Sequence, residues 1–158
     1  MADRTERFGA RTCDEWLLVL GRFGAGDDSA LADMRQGALD VTRSESRRWQ
    51  SALADALQLR LTSLSAQLGE RLNTAVRVGD VSPILGWLRG EVKTLYCLSR
   101  IPAFPPSVRE RIDRGCRTWL KRSQTRLERE AASTSDQDLW LLTVRRSPLR
   151  WPPITGTD

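Results

Sequence analysis

Residues 42–76 read TRSESRRWQSALADALQLRLTSLSAQLGERLNTAV, and this stretch decides the fold. It has no proline and a single glycine, Gly69. Leu53, Leu57, Leu61, Leu64, Leu68, Leu72 and Ala75 follow one another at steps of four, four and three residues. Steps averaging about 3.67 residues keep an apolar seam on one face of a nearly straight helix. Thr42 with Glu45 has the spacing of a capping box, in which two orphan backbone N–H groups are satisfied reciprocally. Ala52, Ala54, Ala56 and Leu59 widen the apolar arc in the first half, which is expected to cross the middle of a helical core. A helix over about 42–76 spans about 52 Å, against a radius of gyration of about 15 Å for a compact domain of this size. The bundle is therefore elongated, or the helix breaks, or one end projects toward a partner.

Outward from this helix, the pattern stays helical. Thr12 and Glu15 make a second capping box ahead of Trp16, Leu17, Leu20 and Phe23, and residues 1–11 before it read as a frayed, charged start. Gly24 and Gly26 end that helix. Leu31, Met34, Ala38 and Val41 have helical spacing, either continuous with the central helix or kinked near Gly37. Arg7-Phe8-Gly9-Ala10 recurs as Arg22-Phe23-Gly24-Ala25, a match too short to be an architectural repeat. Gly79 to Pro83 marks a stop and restart, with Ser82 as N-cap and Pro83 opening a helix to about Arg100. Gly86 and Gly90 give that helix a smooth side for close approach by a neighbour.

Pro102, Pro105 and Pro106 form a stiff connector, after which Ser107 and Glu110 read as a third capping box. Val108, Ile112, Cys116, Trp119, Ser123 and Leu127 then form the face expected to pack on the central helix. Leu139 to Val144 suits a short helix or a strand. The prolines at 148, 152 and 153 make the end extended. The expected architecture is all-α: a bundle of four to five helices with one long central helix, a single domain over 1–146 and an extended tail over 147–158.

Chemistry is scarce. The chain has 158 residues and no histidine, which excludes Ser-His-Asp and Cys-His arrangements and leaves few metal ligands. Cys13, Cys97 and Cys116 are too scattered for a disulfide framework or a zinc site and read as small buried hydrophobes. No catalytic residue, metal or cofactor is expected. No apolar run reaches the length of a membrane span and no secretory signal precedes the first helix, so the expected compartment is the cytoplasm and no membrane is involved.

The net charge of +5 comes from 25 basic residues, all but two of them arginine, a bias that fits GC-rich bacterial coding as well as anion recognition. On the helix after the prolines, Arg111, Arg114, Arg122, Arg126 and Arg129 share a flank, and Arg89, Lys93 and Arg100 stripe the helix before it. If the two stripes coincide, they form a strip able to track a phosphate backbone without reading bases. The same residues also suit a plain solvated surface or an acidic protein partner.

The tryptophans at 16, 49, 87 and 119 belong to helix cores. Trp151 in the tail is either a clasp on the bundle or an anchor in a partner. The leading expectation is a non-catalytic interaction or assembly subunit of a bacterial complex, with Leu64, Leu68, Leu72 and Trp151 toward a protein partner. Sequence-independent binding of the nucleic-acid backbone by Arg89, Lys93 and the α-helical arginine flank is the alternative. Self-association is open.

Overall fold

The computed structural model describes residues 9–133, 137–146 and 149–153. Among them are six helices and no strand: α1 (Cys13–Gly24), α2 (Ala30–Arg35), α3 (Arg43–Val78), α4 (Ser82–Ser99), α5 (Pro106–Ala132) and α6 (Gln137–Arg146). The all-α expectation with one long helix holds, and α3 runs its 36 residues without a break. The count exceeds five because residues 137–146 are helical and the segment before α3 keeps a short helix of its own. The chain forms two compact units, one of Met1–Arg60 with Arg100–Arg109, the other of Leu61–Ser99 with Glu110–Asp158.

In the first unit, both expected capping boxes form. Glu15 N–H donates to Thr12 Oγ1 while Thr12 N–H donates to Glu15 Oε1, and Thr42 with Glu45 does the same. The Thr42 backbone N–H and hydroxyl hold the Glu45 carboxyl below its usual range. The core is an aromatic cluster: Trp16 and Trp49 are buried with Phe104, their ring centroids 5.6 to 6.5 Å apart. Such pairs contribute about 0.5–1.5 kcal/mol beyond area burial.

Residues 36–41 leave the helix that the spacing of Leu31, Met34, Ala38 and Val41 suggested. Their backbone pairs instead with the chain start: Ala38 N–H donates to Ala10 O at 2.9 Å and Asp40 N–H to Arg11 O at 3.0 Å. The start is accordingly pinned from Gly9 onward rather than frayed, with Ala10 buried; residues 1–8 of the expected frayed segment lie outside the described residues. The pairing requires glycine on both sides. A Cβ on Gly9 would stand 2.2 Å from the Gln36 carbonyl carbon, and one on Gly37 would stand 2.4 Å from Ala10 O. Gly24, in the other Arg-Phe-Gly-Ala string, also lies against backbone, that of Ala56.

The expected widening of the apolar arc on α3 is also redrawn. Ala56 is buried, but Ala54 is exposed and Leu59 is 57% exposed. The buried neighbour is Arg60. Its Nη1 donates to Phe23 O at 3.1 Å, its Nη2 to Asp28 Oδ1 at 2.6 Å, and its guanidinium lies 4.8 Å from the Phe23 ring centroid.

The second unit holds the rest of α3 with α4, α6 and most of α5. Leu64, Leu68, Leu72 and Ala75 are buried there, as the ladder requires. α5 packs on this half of α3 as expected: Trp119 Nε1 donates to Ser65 Oγ at 3.0 Å and Arg126 Nη1 to Ser65 O at 3.0 Å. Gly69 admits the Arg126 guanidinium, which a Cβ would approach at 2.7 Å. Gly79, at φ +80°, closes α3 by donating to Ala75 O.

Both restarts come early, α4 by one residue and α5 by two. Val81 O receives the first helical bonds of α4, and the Asp80 carboxylate accepts from Ser82 N–H, so Ser82 is inside the helix rather than its cap. Likewise α5 begins at Pro106, with Pro105 O accepting from Val108 and Arg109, so the Ser107–Glu110 box does not form. Proline needs no acceptor in the first turn, which is why Pro106 can open the helix.

Candidate phosphate-binding groove

α5 is amphipathic by the simplest route. Ile112, Cys116, Trp119, Leu120, Ser123 and Leu127 are buried, which turns the opposite flank of the helix outward. Burial pushes the Cys116 thiol up to about 12, with the Asp113 carboxylate adding to the effect, so that sulfur is a neutral core atom.

Along the outward flank runs an open groove of about 730 Å³ lined by Thr118, Lys121, Arg122, Thr125, Arg126, Arg129 and Glu130. Three of the five arginines expected on this flank, Arg122, Arg126 and Arg129, therefore meet in one depression. Arg126 is tied to Ser65 O, while Lys121, Arg122 and Arg129 are exposed and make no ion pair among the described residues. Arg111 and Arg114 do not line the groove, although Arg114 is exposed on the same helix and pairs with Glu110 at 3.2 Å. That pair, with both side chains more than two-thirds exposed, contributes about 0.3–0.5 kcal/mol at most.

The hydroxyls of Thr118 and Thr125 donate back to the carbonyls of Arg114 and Lys121. The donors left facing the groove are thus cationic. Lys121, not among the residues expected here, precedes Arg122 directly, so its position on the α5 flank is readable from the sequence.

Arg89 and Lys93 are exposed on α4 and are not part of this lining. They share their face with Gly86 and Gly90, and a Cβ at either glycine would meet nothing within 4 Å. The smooth side expected to receive a neighbouring helix is open instead.

The residues expected to reach a protein partner are engaged within the chain. Leu64, Leu68 and Leu72 are at most 2% exposed, so the apolar patch expected along residues 64–75 is already covered. Trp151 is half-buried, donates its Nε1–H to Asp113 Oδ1 at 3.0 Å and meets Tyr96 edge-on at 5.7 Å between centroids. It is a clasp on the second unit. Residues 147–148 and 154–158 of the expected tail lie outside the described residues. Among the described residues, no three Cys, Asp or Glu side chains gather as metal ligands, and no helix is long and apolar enough to cross a membrane.

No protein-family model matches this chain, and neither the curated proteins nor the solved structures hold a match to it.

Proposed function

We propose that this protein binds the phosphate backbone of nucleic acid through α5, without reading base sequence, as a non-catalytic subunit acting in the cytoplasm. The observation that carries this reading is the groove in which Lys121, Arg122 and Arg129, without an ion-pair partner among the described residues, present positive charge beside Arg126. Cations held this way exchange condensed counterions for phosphates, and that release drives association. An acidic protein partner would meet the same charge, but the covered state of Leu64, Leu68, Leu72 and Trp151 leaves it none of the apolar anchors foreseen for an assembly surface.

The test is a salt series of fluorescence anisotropy on a labelled mixed-sequence oligonucleotide, with the wild type and an Arg122→Ala/Arg129→Ala variant. If each arginine neutralises one phosphate, the variant's slope of log K against log salt is shallower by about 1.8 on a duplex. Absence of binding at low salt, or a variant indistinguishable from wild type, refutes the proposal.

A further inference from the structure

The charges of the groove sit on a stiff support. Ile112, Cys116 and Leu127 are buried on the far side of α5, and Arg126 is bonded to Ser65 O on α3, so the flank cannot follow a flexible ligand. Lys121, Arg122 and Arg129 lie on one helix and cover about 12 Å of its axis from residue 121 to residue 129. A fixed row of cations is matched by phosphates that are themselves at fixed spacing, and a duplex supplies one charge per about 1.7 Å of its axis.

Proteins that hold single strands add aromatic platforms, each stacked base contributing about 1–3 kcal/mol. Here the rings are turned elsewhere. Trp119 is buried with its indole N–H on Ser65, Trp87 lies under the Arg71 guanidinium at 4.4 Å, and Trp151 is docked on Tyr96 and Asp113. Among the described residues no aromatic side chain is exposed and none lines the groove. The groove threonines, with their hydroxyl hydrogens committed to helix carbonyls, add no neutral donor that would read a base edge.

We infer that the ligand class of this groove is double-stranded nucleic acid, gripped along its backbone; this rests on the backbone-binding reading above. The experiment uses the full chain and three labelled probes of equal length: mixed-sequence duplex DNA, duplex RNA of the same sequence, and oligo-dT, which stays single-stranded. At least one duplex binds about tenfold or more tightly than oligo-dT at equal salt, since the strand gains no stacking to offset its ordering. Arg122→Ala/Arg129→Ala weakens duplex binding while its thermal melt matches wild type. Oligo-dT bound as tightly as both duplexes, or more tightly, overturns the duplex inference and leaves the backbone reading standing. No binding to any probe overturns both.

Discussion

Arg60 and Asp28 give the sharpest test of how the first unit is held. The Arg60 side chain is 6% exposed and that of Asp28 is 54% exposed, so the pair is buried on the cationic side only. Replacing Arg60 by Met keeps the apolar stem, removes the donor to Phe23 O and leaves Asp28 to water. The lost hydrogen bond and ring contact are partly offset by relief of the cation's desolvation, for a net loss of about 1 kcal/mol. Asp28→Ala does the reverse, taking the carboxylate from a buried guanidinium whose Nη2 it receives at 2.6 Å. Removing one partner of a fully buried pair costs about 3–5 kcal/mol, and exposure of Asp28 reduces this to about 2 kcal/mol. The smaller, surface-side truncation is therefore the more damaging one. Urea denaturation followed by two probes measures both losses. An Asp28→Ala variant within about 0.3 kcal/mol of wild type, or one less damaged than Arg60→Met, refutes the reasoning.

Trp151→Ala removes an edge contact and a hydrogen bond to a carboxylate, about 1–2 kcal/mol for a half-buried ring; the melting temperature falls by about 2–8 °C, and an unchanged melt would show that the ring is no clasp. Gly37→Ala drives a Cβ to 2.4 Å from Ala10 O and costs about 1–3 kcal/mol by urea midpoint, whereas Gly86→Ala, with open space around it inside a helix, gains about 0.5–1 kcal/mol; equal effects would sink the steric argument. The Ser29 hydroxyl, the Arg22 guanidinium and the Ser29 N–H hold the Asp27 carboxyl below 3.8, and Thr42 holds Glu45 below 4.5. Depressed carboxyls stabilise the fold above their unfolded values and stop doing so as pH falls through their folded ones. The urea midpoint thus declines below about pH 4.5, and Asp27→Asn makes that decline shallower; an unchanged pH profile for the variant argues against the assignment.

The parts of the fold legible in the sequence are those that neighbours along the chain decide. The leucine ladder of α3, the Thr12 and Thr42 boxes and the glycine closing α3 depend on residues within one or two turns, and all appear where expected. The order of the arginines around α5 is legible for the same reason, although only Arg122, Arg126 and Arg129 of the five line the groove. Apart from the displaced Ser82 and Ser107 caps, what failed depends on distant chain. Residues 36–41 had a helical apolar spacing, but Ala10 and Arg11 claimed their backbone groups. Leu59 was expected to widen the apolar arc, but Phe23 O and Asp28 supply an acceptor set that carries the neighbouring Arg60 guanidinium inside instead. The separation of Arg89 and Lys93 from the groove is likewise a matter of which helix lies beside which, on which wheel positions are silent.

The interrupted make-up of the first unit sets an order for synthesis. Trp16 and Trp49 leave the ribosome early, yet Phe104, which stacks on Trp49 at 5.8 Å, is made 55 positions after it. At about 5–20 residues per second, the two indoles wait roughly 3–11 s for their third ring. During that interval the nascent chain carries an unfinished aromatic core while the C-terminal half of α3 and all of α4 are being added. A chain halted with Trp49 released and Phe104 not yet made would therefore display an unfinished aromatic core, and exposed apolar surface of this kind is aggregation-prone.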